Sequence, residues 1–580
     1  MLDLFVQDLE SLYNDIKKFK EKEYIEKFKK RWKINKSIGE FYQGISLKES
    51  KKKSGSFYTP FDVVDYINSN ISKNIKDKKE YEIKILDPSC GGGYFLIDIY
   101  IKLEKLLSDI NFPMKEKFII DKIIYGYDID KVATLITIIE LFYLSGYISE
   151  NIFNKDFLFD NNDIKYNYIL GNPPYIGHKV LEASYRKELS NFYGDVFYDK
   201  GDLSYCFIKK SIDLLVNGGH LVFFTSRYIL ESLYGREIRR FILDNCNINR
   251  IIDFYGVRIV KGAGVDNVIL NFEKANYKND TAEYFKINIE GKDKGAEVFN
   301  DIDKGLGKYT RHIKVNTSEL NPEGWSFLSK EEKNIISKIL NKCNVRLGDI
   351  ADSFQGIITG KDEAFIIKKE DAKLHSIEND LLKPWIKGKQ IIKFKVNSSD
   401  KLIVYSDIIK DEKDYPNTLK YLSFYKEILQ KRRECVRGLR KWYNIQWGRK
   451  AELFEGKKII FPYKSDSNRF SIDIGNFFSA DIYSIVLKKE YEHYTYEYIE
   501  SLLNSSVYEF YIKTIAKKLG DSLYEYYPNK IMNIFIPEVI KDICSIYNSS
   551  NTDINKIDNI LGQYFGITEE EFKLIKLWCS

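Results

Sequence analysis

Between about residues 80 and 275, short apolar runs end in loop residues and alternate with helical stretches: Ile83 to Leu86, Ile123 to Tyr127, Tyr168 to Leu170, Leu221 to Phe224, Ile251 to Phe254 and Val268 to Phe272. Apolar runs this short, bounded by turn residues, read as buried strands. Their alternation with helices predicts an α/β domain around a mostly parallel sheet. In a doubly wound sheet, ligands sit beyond the carboxyl ends of the strands, so the loops that follow these runs are where chemistry is expected.

Four of those loops carry distinctive residues. The first run leads into Asp87-Pro88-Ser89-Cys90-Gly91-Gly92-Gly93, where glycines let the backbone approach a ligand before the next helix begins. Many nucleotide sites and many plain tight turns share such a loop. The second leads into Asp128-Ile129-Asp130; an acid here can accept both hydroxyl hydrogens of a ribose, or can equally cap a helix. A third loop, Asn154-Lys155-Asp156-Phe157, offers Asp156 as an acceptor for an adenine amine and Phe157 as a stacking face, or is an ordinary polar turn. The fourth, Asn172-Pro173-Pro174-Tyr175, is the most specific. Its consecutive prolines remove two backbone donors and fix φ, leaving rigid, available carbonyls.

Around this block the chain changes character. Residues 2 to 35 repeat apolar positions at helical spacing (Leu2, Phe5, Leu9, Leu12, Tyr13, Ile16) among many lysines and glutamates and read as one or two amphipathic helices. Between about 275 and 320 the sequence turns polar and rich in Gly, Asp and Lys, so a domain boundary is drawn there. The expected division is a helical segment at 1–50, a catalytic domain at 51–290 and a C-terminal domain at 291–580 that ends in helices. At 580 residues the chain is too long for one ordinary domain. It contains no uncharged apolar run long enough to span a membrane, and the start, Met1-Leu2-Asp3-Leu4-Phe5, lacks the basic and cleavage features of a signal peptide. A cytosolic, monomeric protein is the expectation. The seven cysteines are scattered, with no Cys-x-x-Cys pair and no histidines to complete a zinc site; free buried thiols and no metal are expected. The net charge of +6 is mild, so any nucleic-acid contact must come from clustering.

Taken in order, Ser56-Phe57-Tyr58-Thr59-Pro60, the Asp-Pro-Ser-Cys-Gly-Gly-Gly loop, Asp128, Asp156 and Asn-Pro-Pro-Tyr, followed by a large C-terminal domain, resemble the gamma class of N6-adenine DNA methyltransferases. Gly201-Asp202-Leu203 and the stretch Gly218 to Phe224 match the same pattern. In the C-terminal half, Ser353 to Gly360 and Leu502 to Ser506 look like target-recognition domains of that class. Asn172 to Lys179 and Arg432-Arg433-Glu434-Cys435 are similar to an orphan enzyme of clostridia.

The resemblance implies a Rossmann-like S-adenosylmethionine-dependent methyltransferase domain with a C-terminal mixed α+β target-recognition domain. It implies that Tyr58, Thr59, Pro60, Asp87, Ser89, Gly91 and Gly93 surround the methionine part of the cofactor. Asp128 would hold its ribose, Asp156 with Phe157 would hold its adenine, and Ile129 would also contact the cofactor. Asn172 and the carbonyl of Pro173, in the rigid Asn172-Pro173-Pro174-Tyr175 loop, would accept hydrogen bonds from the target amine, and Tyr175 would stack on the flipped base. One departure stands out. The class usually places a second aromatic about where Ile259-Val260-Lys261 lies, and here that position is Val260; Tyr255 could supply the ring instead.

Similar motifs also serve enzymes that methylate glutamine side chains or RNA bases, and a non-catalytic DNA-binding protein could keep the fold. Double-stranded DNA is the expected partner because the C-terminal half contains Lys431-Arg432-Arg433, Arg440-Lys441-Trp442-Tyr443 and Gln446-Trp447-Gly448-Arg449-Lys450. Cations among aromatics suit phosphate contacts, and Gln or Arg can read base edges. Lys431, Arg432, Arg433 and Arg440 are the expected phosphate contacts, with Gln355, Trp442 and Gln446 as candidates for base readout. Only about 50 residues precede Ser56, too few for a nuclease core, so modification without cleavage, at an asymmetric A-rich site, is the expected activity.

Overall fold

Each of the apolar runs forms a strand. A computed structural model of the chain describes residues 1–49, 59–78, 82–110, 112–257, 259, 265–288, 291–520, 522–547 and 552–579. These residues divide into two units, Met1–Phe327 and Leu328–Ser580.

The first unit is built on a nine-stranded sheet. Its strands are β1 (Ile85–Asp87), β2 (Ile124–Asp128), β3 (Ile152–Asn154), β4 (Tyr166–Gly171), β5 (Leu215–Ser226), β6 (Cys246–Asp253), β7 (Asn267–Lys274), β8 (Thr281–Ile287) and β9 (Thr310–Asn316). They lie in the order β3-β2-β1-β4-β5-β7-β6-β8-β9. The run from β3 to β5 is parallel, as is the β6–β8 pair, whereas β7 is antiparallel to both β5 and β6. The chain order reverses between β1 and β4, the switch point at which such sheets open a ligand crevice.

Apolar helices cover both faces. On one, α4 (Phe61–Lys78) and α5 (Tyr94–Asp109) place Val63, Val64, Ile67, Phe95, Leu96 and Ile99 against the sheet. On the other lie Ile208 and Ile212 of the helix Leu203–Leu214 and Ile238 and Ile242 of the helix Arg236–Asn245. Each such side chain removed from water contributes about 1.5–3 kcal/mol. The N-terminal segment forms α1 (Leu2–Phe19), α2 (Glu23–Arg31) and α3 (Ile38–Glu49). Phe5, Leu9, Leu12 and Ile16 line one face of α1 and pack on Leu135, Ile136, Ile139 and Phe142 of the helix Lys131–Ser145.

The boundary drawn at residue 290 falls between two strands of this sheet, because β8 pairs with β6 on one side and β9 on the other; the structural division comes at Phe327. The sequence around 281–287 reads as polar because its buried residues, Ala282, Tyr284, Phe285 and Ile287, are interleaved with Glu283 and Lys286.

The second unit is mixed α+β. One four-stranded sheet runs in the order Ala351–Asp352, Ile482–Leu487, Lys458–Pro462, Ser471–Asp473, and another in the order Ile366–Lys368, Lys401–Val404, Leu382–Ile386, Phe477–Phe478. The helices Tyr496–Asn504, Ser506–Ile515, Ile554–Phe565 and Glu569–Cys579 close its core. All seven cysteines are free; Cys90, Cys206, Cys246 and Cys343 are buried, Cys435 and Cys579 half-buried, and Cys544 exposed. Among the described residues, no helix is long and apolar enough to cross a membrane, and no cluster of three or more His, Cys, Asp or Glu residues could hold a metal ion.

Candidate active site and candidate DNA interface

The loops singled out in the sequence converge at the carboxyl edge of β1 to β4. Gly93, at φ +84°, turns the chain from β1 into α5, and a Cβ there would meet Thr137 Oγ1 at 2.9 Å. The N–H of Gly91 donates to Asp128 Oδ2 at 2.8 Å, and the N–H of Asp130 donates to Oδ1 of the same carboxylate at 2.8 Å. The loops after β1 and β2 are thereby tied together through Asp128, whose carboxyl is pushed up from its ordinary pKa by burial. The helix-capping role open at this loop falls to Asp130, which accepts the Val132 N–H. Ile129 stands 75% exposed between the two acids.

Asp87, at the end of β1, is buried and accepts the Ser89 N–H at 3.0 Å. Burial pushes its pKa up to about 8, with the nearby Asp128 charge acting in the same direction. No cation faces it among the described residues. Gly171 at the end of β4 makes this arrangement possible, since a Cβ there would come within 2.5 Å of Asp87 Oδ1.

Asp156 lies after β3 as expected, accepting the Leu158 N–H at 2.9 Å and the Tyr185 hydroxyl at 2.9 Å. Phe157 differs from its expected role. Its ring is 3% exposed and packs against Tyr127 and Phe207, so protein already occupies its surroundings. An apolar residue in a loop is ambiguous between a ligand face and a core anchor, and the neighbouring Phe207 decides it.

The Asn172-Pro173-Pro174-Tyr175 loop leaves β4 beside these acids. Asn172 Nδ2 donates to Thr59 Oγ1 at 2.9 Å, which fixes the direction of the amide, and the Ser89 hydroxyl donates to the Asn172 carbonyl at 3.3 Å. The Tyr175 hydroxyl donates to Asn172 Oδ1 and lies 3.4 Å from the carbonyl of Phe224. Burial holds the Tyr175 hydroxyl well above its usual pKa. Leu203 N–H donates to the Ile176 carbonyl at 3.0 Å, so the Gly201-Asp202-Leu203 turn braces this loop. Pro60 immediately precedes α4, its carbonyl accepting the Val63 N–H.

Tyr58 and Val260 lie outside the described residues. Tyr255, the alternative second ring, is held at φ +43° between two cations: Arg227 lies 5.1 Å and Lys286 3.6 Å from its ring centre. Two protein cations therefore already contact the ring, and one of them, Arg227, forms a buried ion pair with Asp253, which also accepts the Tyr284 hydroxyl.

Most of the C-terminal candidates turn inward. The Arg432 guanidinium donates to the carbonyls of Leu429, Thr359, Trp442 and Asn444 and lies 5.8 Å from the Phe365 ring centre. It clamps the loops together and is not the phosphate contact expected of it. Arg440 is paired with Asp407 at 2.7 Å, Gln446 Nε2 with Glu434 at 3.2 Å and Gln355 Nε2 with the Ala480 carbonyl at 2.9 Å. Trp442 is half-buried against Tyr443, with Lys426 5.2 Å from its ring. Lys431 and Arg433 are exposed. So are Arg437, Arg449 and Lys450, together with the apolar pair Ile358 and Trp447, which bridge backbone to backbone.

Residues 122–259 match the Eco57I restriction-modification methylase family, and residues 383–536 match the TaqI-like C-terminal specificity domain. The type II methyltransferase M.BstVI of Geobacillus stearothermophilus is 22% identical over 91% of this chain and 98% of its own length. M.BanIII of Aneurinibacillus aneurinilyticus is 25% identical over 76% of this chain and 82% of its own. Among solved structures, the type IIL restriction-modification enzyme MmeI in complex with DNA superposes with a TM-score of 0.62 at 16% identity, covering 89% of this chain and 76% of that one. The chain is thus a relative of the type II restriction-modification DNA methyltransferases, with an α/β methyltransferase fold followed by a C-terminal specificity domain. Methyltransferases of this family use S-adenosylmethionine.

Proposed function

We propose that this chain transfers a methyl group from S-adenosylmethionine to the exocyclic N6 amine of an adenine flipped out of duplex DNA. The observation that carries the proposal is the fixed amide of Asn172 beyond β4, turned by Thr59 so that Oδ1 faces the Tyr175 hydroxyl. The residues present suit the cofactor. Asp87 is a buried carboxyl with no facing cation and suits an ammonium group; the Asp128 carboxylate suits ribose hydroxyls; exposed Ile129 suits a purine face; and Asp156 suits an amine. Bound there, S-adenosylmethionine supplies a methyl group on an electrophilic sulfonium.

The chain's own residues do the rest. An adenine amine is a weak nucleophile because its lone pair is delocalised into the ring. Asn172 Oδ1 and the Pro173 carbonyl would accept hydrogen bonds from its two N–H groups and draw electron density back onto nitrogen, an effect of placed dipoles and orientation; as the N–C bond forms the S–C bond breaks, the thioether leaves, and the methylated nitrogen gives up one proton to water. Because N6 is out of reach inside the stack, the base is flipped at a cost of a few kcal/mol. Stacking on the Tyr175 ring offsets about 1–3 kcal/mol of it. The C-terminal unit reads the site and grips phosphate through exposed cations such as Lys431 and Arg433. The likeness of Asn172 to Lys179 and of Arg432 to Cys435 to the clostridial orphan enzyme CamA extends the proposal to an asymmetric A-rich site, modified on one strand and not cut.

Incubation of the protein with methyl-labelled S-adenosylmethionine and equal masses of duplex DNA, RNA and protein tests the substrate class. Label is expected in duplex DNA. Preferential labelling of RNA or protein supports the rival methyltransferases, and cofactor binding with no transfer to any polymer supports a non-catalytic DNA-binding protein. Long-read sequencing of DNA from a methylation-free host that expresses the chain then gives the site.

A further inference from the structure

Asn172 Oδ1 faces two claims. As the acceptor for the target amine it must be available when the base arrives, yet it holds the Tyr175 hydroxyl. That hydroxyl carries one proton to donate. It does not escape the conflict by ionising, because burial keeps it protonated far above its ordinary range. A buried donor without an acceptor costs about 1–3 kcal/mol, so the hydroxyl needs somewhere else to go.

Asn267 stands at the start of β7, paired across the sheet with Ser226 at the end of β5, which brings it to the same edge as the Asn172 loop although β7 runs the other way. It is 1% exposed, its Nδ2 lies 3.4 Å from the Tyr175 hydroxyl oxygen, and its Oδ1 has no partner among the described residues. A half-turn of the carboxamide about its last bond exchanges Nδ2 for Oδ1 and presents an unused acceptor to the same hydroxyl. No backbone movement is needed.

We infer that Asn267 is the second acceptor for the Tyr175 hydroxyl, taking it over when the target base enters and thereby releasing Asn172 Oδ1 to the target amine. Asn267 is then a positioning residue that acts through Tyr175 without touching the substrate. The role rests on the reading of Asn172 as the amine acceptor. It also explains an otherwise unfavourable feature, a buried carbonyl oxygen with no hydrogen-bond partner among the described residues.

A double-mutant cycle tests it. Single-turnover methyl transfer to duplex DNA is measured for wild type, Asn267→Ala, Tyr175→Phe and the double variant, with cofactor affinity and thermal midpoint recorded for each. The expected result is that Asn267→Ala slows transfer by about tenfold or more when Tyr175 is present and by less than about twofold in the Tyr175→Phe background, which has no hydroxyl to re-seat. Cofactor affinity should stay within about twofold throughout. The near-isosteric Asn267→Leu serves if the alanine variant does not fold. Equal effects in both backgrounds, or no effect in either, overturn the inference; the first makes Asn267 structural, and the second gives the hydroxyl to the Phe224 carbonyl, also 3.4 Å away. Asn172→Ala is run beside them. Unimpaired transfer in that variant defeats the reading of Asn172 itself, whereas a dead Asn172→Ala with an additive cycle defeats only the role of Asn267.

Discussion

The two units use polar side chains in opposite ways. At the carboxyl edge of the first sheet, Asp87 and Asp128 accept main-chain N–H groups of the loop after β1, and Asn172 and Tyr175 hydrogen-bond to each other in the loop after β4. Their main-chain partners, such as the Gly91 and Ser89 N–H groups, hold them in place without using every lone pair. In the second unit, Arg432, Arg440, Gln355 and Gln446 spend their polar groups on the unit itself. A motif of glycines and prolines therefore keeps its expected place at a strand end in the folded chain, whereas a cluster of long basic side chains can serve the fold or a partner with the same composition.

The largest expected effect is at the Asn172-Pro173-Pro174-Tyr175 loop, proposed above to be catalytic. Asn172→Ala should lower turnover on DNA by about a hundredfold or more, the scale for losing an oriented dipole at the reacting group, with cofactor affinity changed by no more than a few-fold. Steady-state and binding measurements on the same preparation check this, and near-normal turnover would collapse the distinction between the two regions. Next, Arg432→Ala should lower the stability of the second unit by about 1–2 kcal/mol, because four partly buried carbonyls lose a charged donor at once. Denaturant unfolding followed in that unit reads it. An unaltered transition restores Arg432 as a candidate for binding DNA.

Much of the first unit was legible in the sequence because strand ends, glycine turns and a proline pair fix backbone direction locally. Gly93 and Asn172-Pro173-Pro174 reveal themselves without tertiary context. Asn267, Tyr185 and Thr137 do not, since an Asn at the start of an apolar strand carries no local signature of the loop it will face. The same limit hid β8 and β9, whose buried residues are interleaved with charged and polar ones such as Glu283, Lys286, Arg311 and Lys314, and the inward turn of Phe157. For Arg432, the deciding fact is four carbonyls supplied by residues from 359 to 444, which no window of sequence contains.

A smaller effect concerns pH. Burial raises Asp87 from 3.8 to about 8, so the stability this group contributes is present below about pH 4 and is lost as pH rises through about 8. A cationic ligand group beside it favours the ionised form, so cofactor affinity should rise with pH toward 8. The ligand's own amine deprotonates near about 8, so the informative quantity is the difference between wild type and Asp87→Asn in calorimetric titrations from pH 6 to 8. Loss of the acid-side dependence in Asp87→Asn is expected, and an unchanged profile removes Asp87 from the cofactor site. The smallest effect is at Lys431 and Arg433. Replacing both with Ala should weaken cognate and scrambled duplexes alike and reduce the slope of log K against log salt by about 0.9 for each phosphate no longer neutralised, with the unfolding transition unmoved. Unchanged slopes mark them as solvated surface.

The central claim is the chemistry at Asn172, and the identity of the product tests it most directly. Duplex DNA from a methylation-free host is incubated with S-adenosylmethionine and either wild type or Asn172→Ala, then digested to nucleosides and analysed by mass spectrometry. N6-methyldeoxyadenosine with wild type, and its loss with Asn172→Ala, is the predicted result; methylation of another base, or equal product from both proteins, would contradict it.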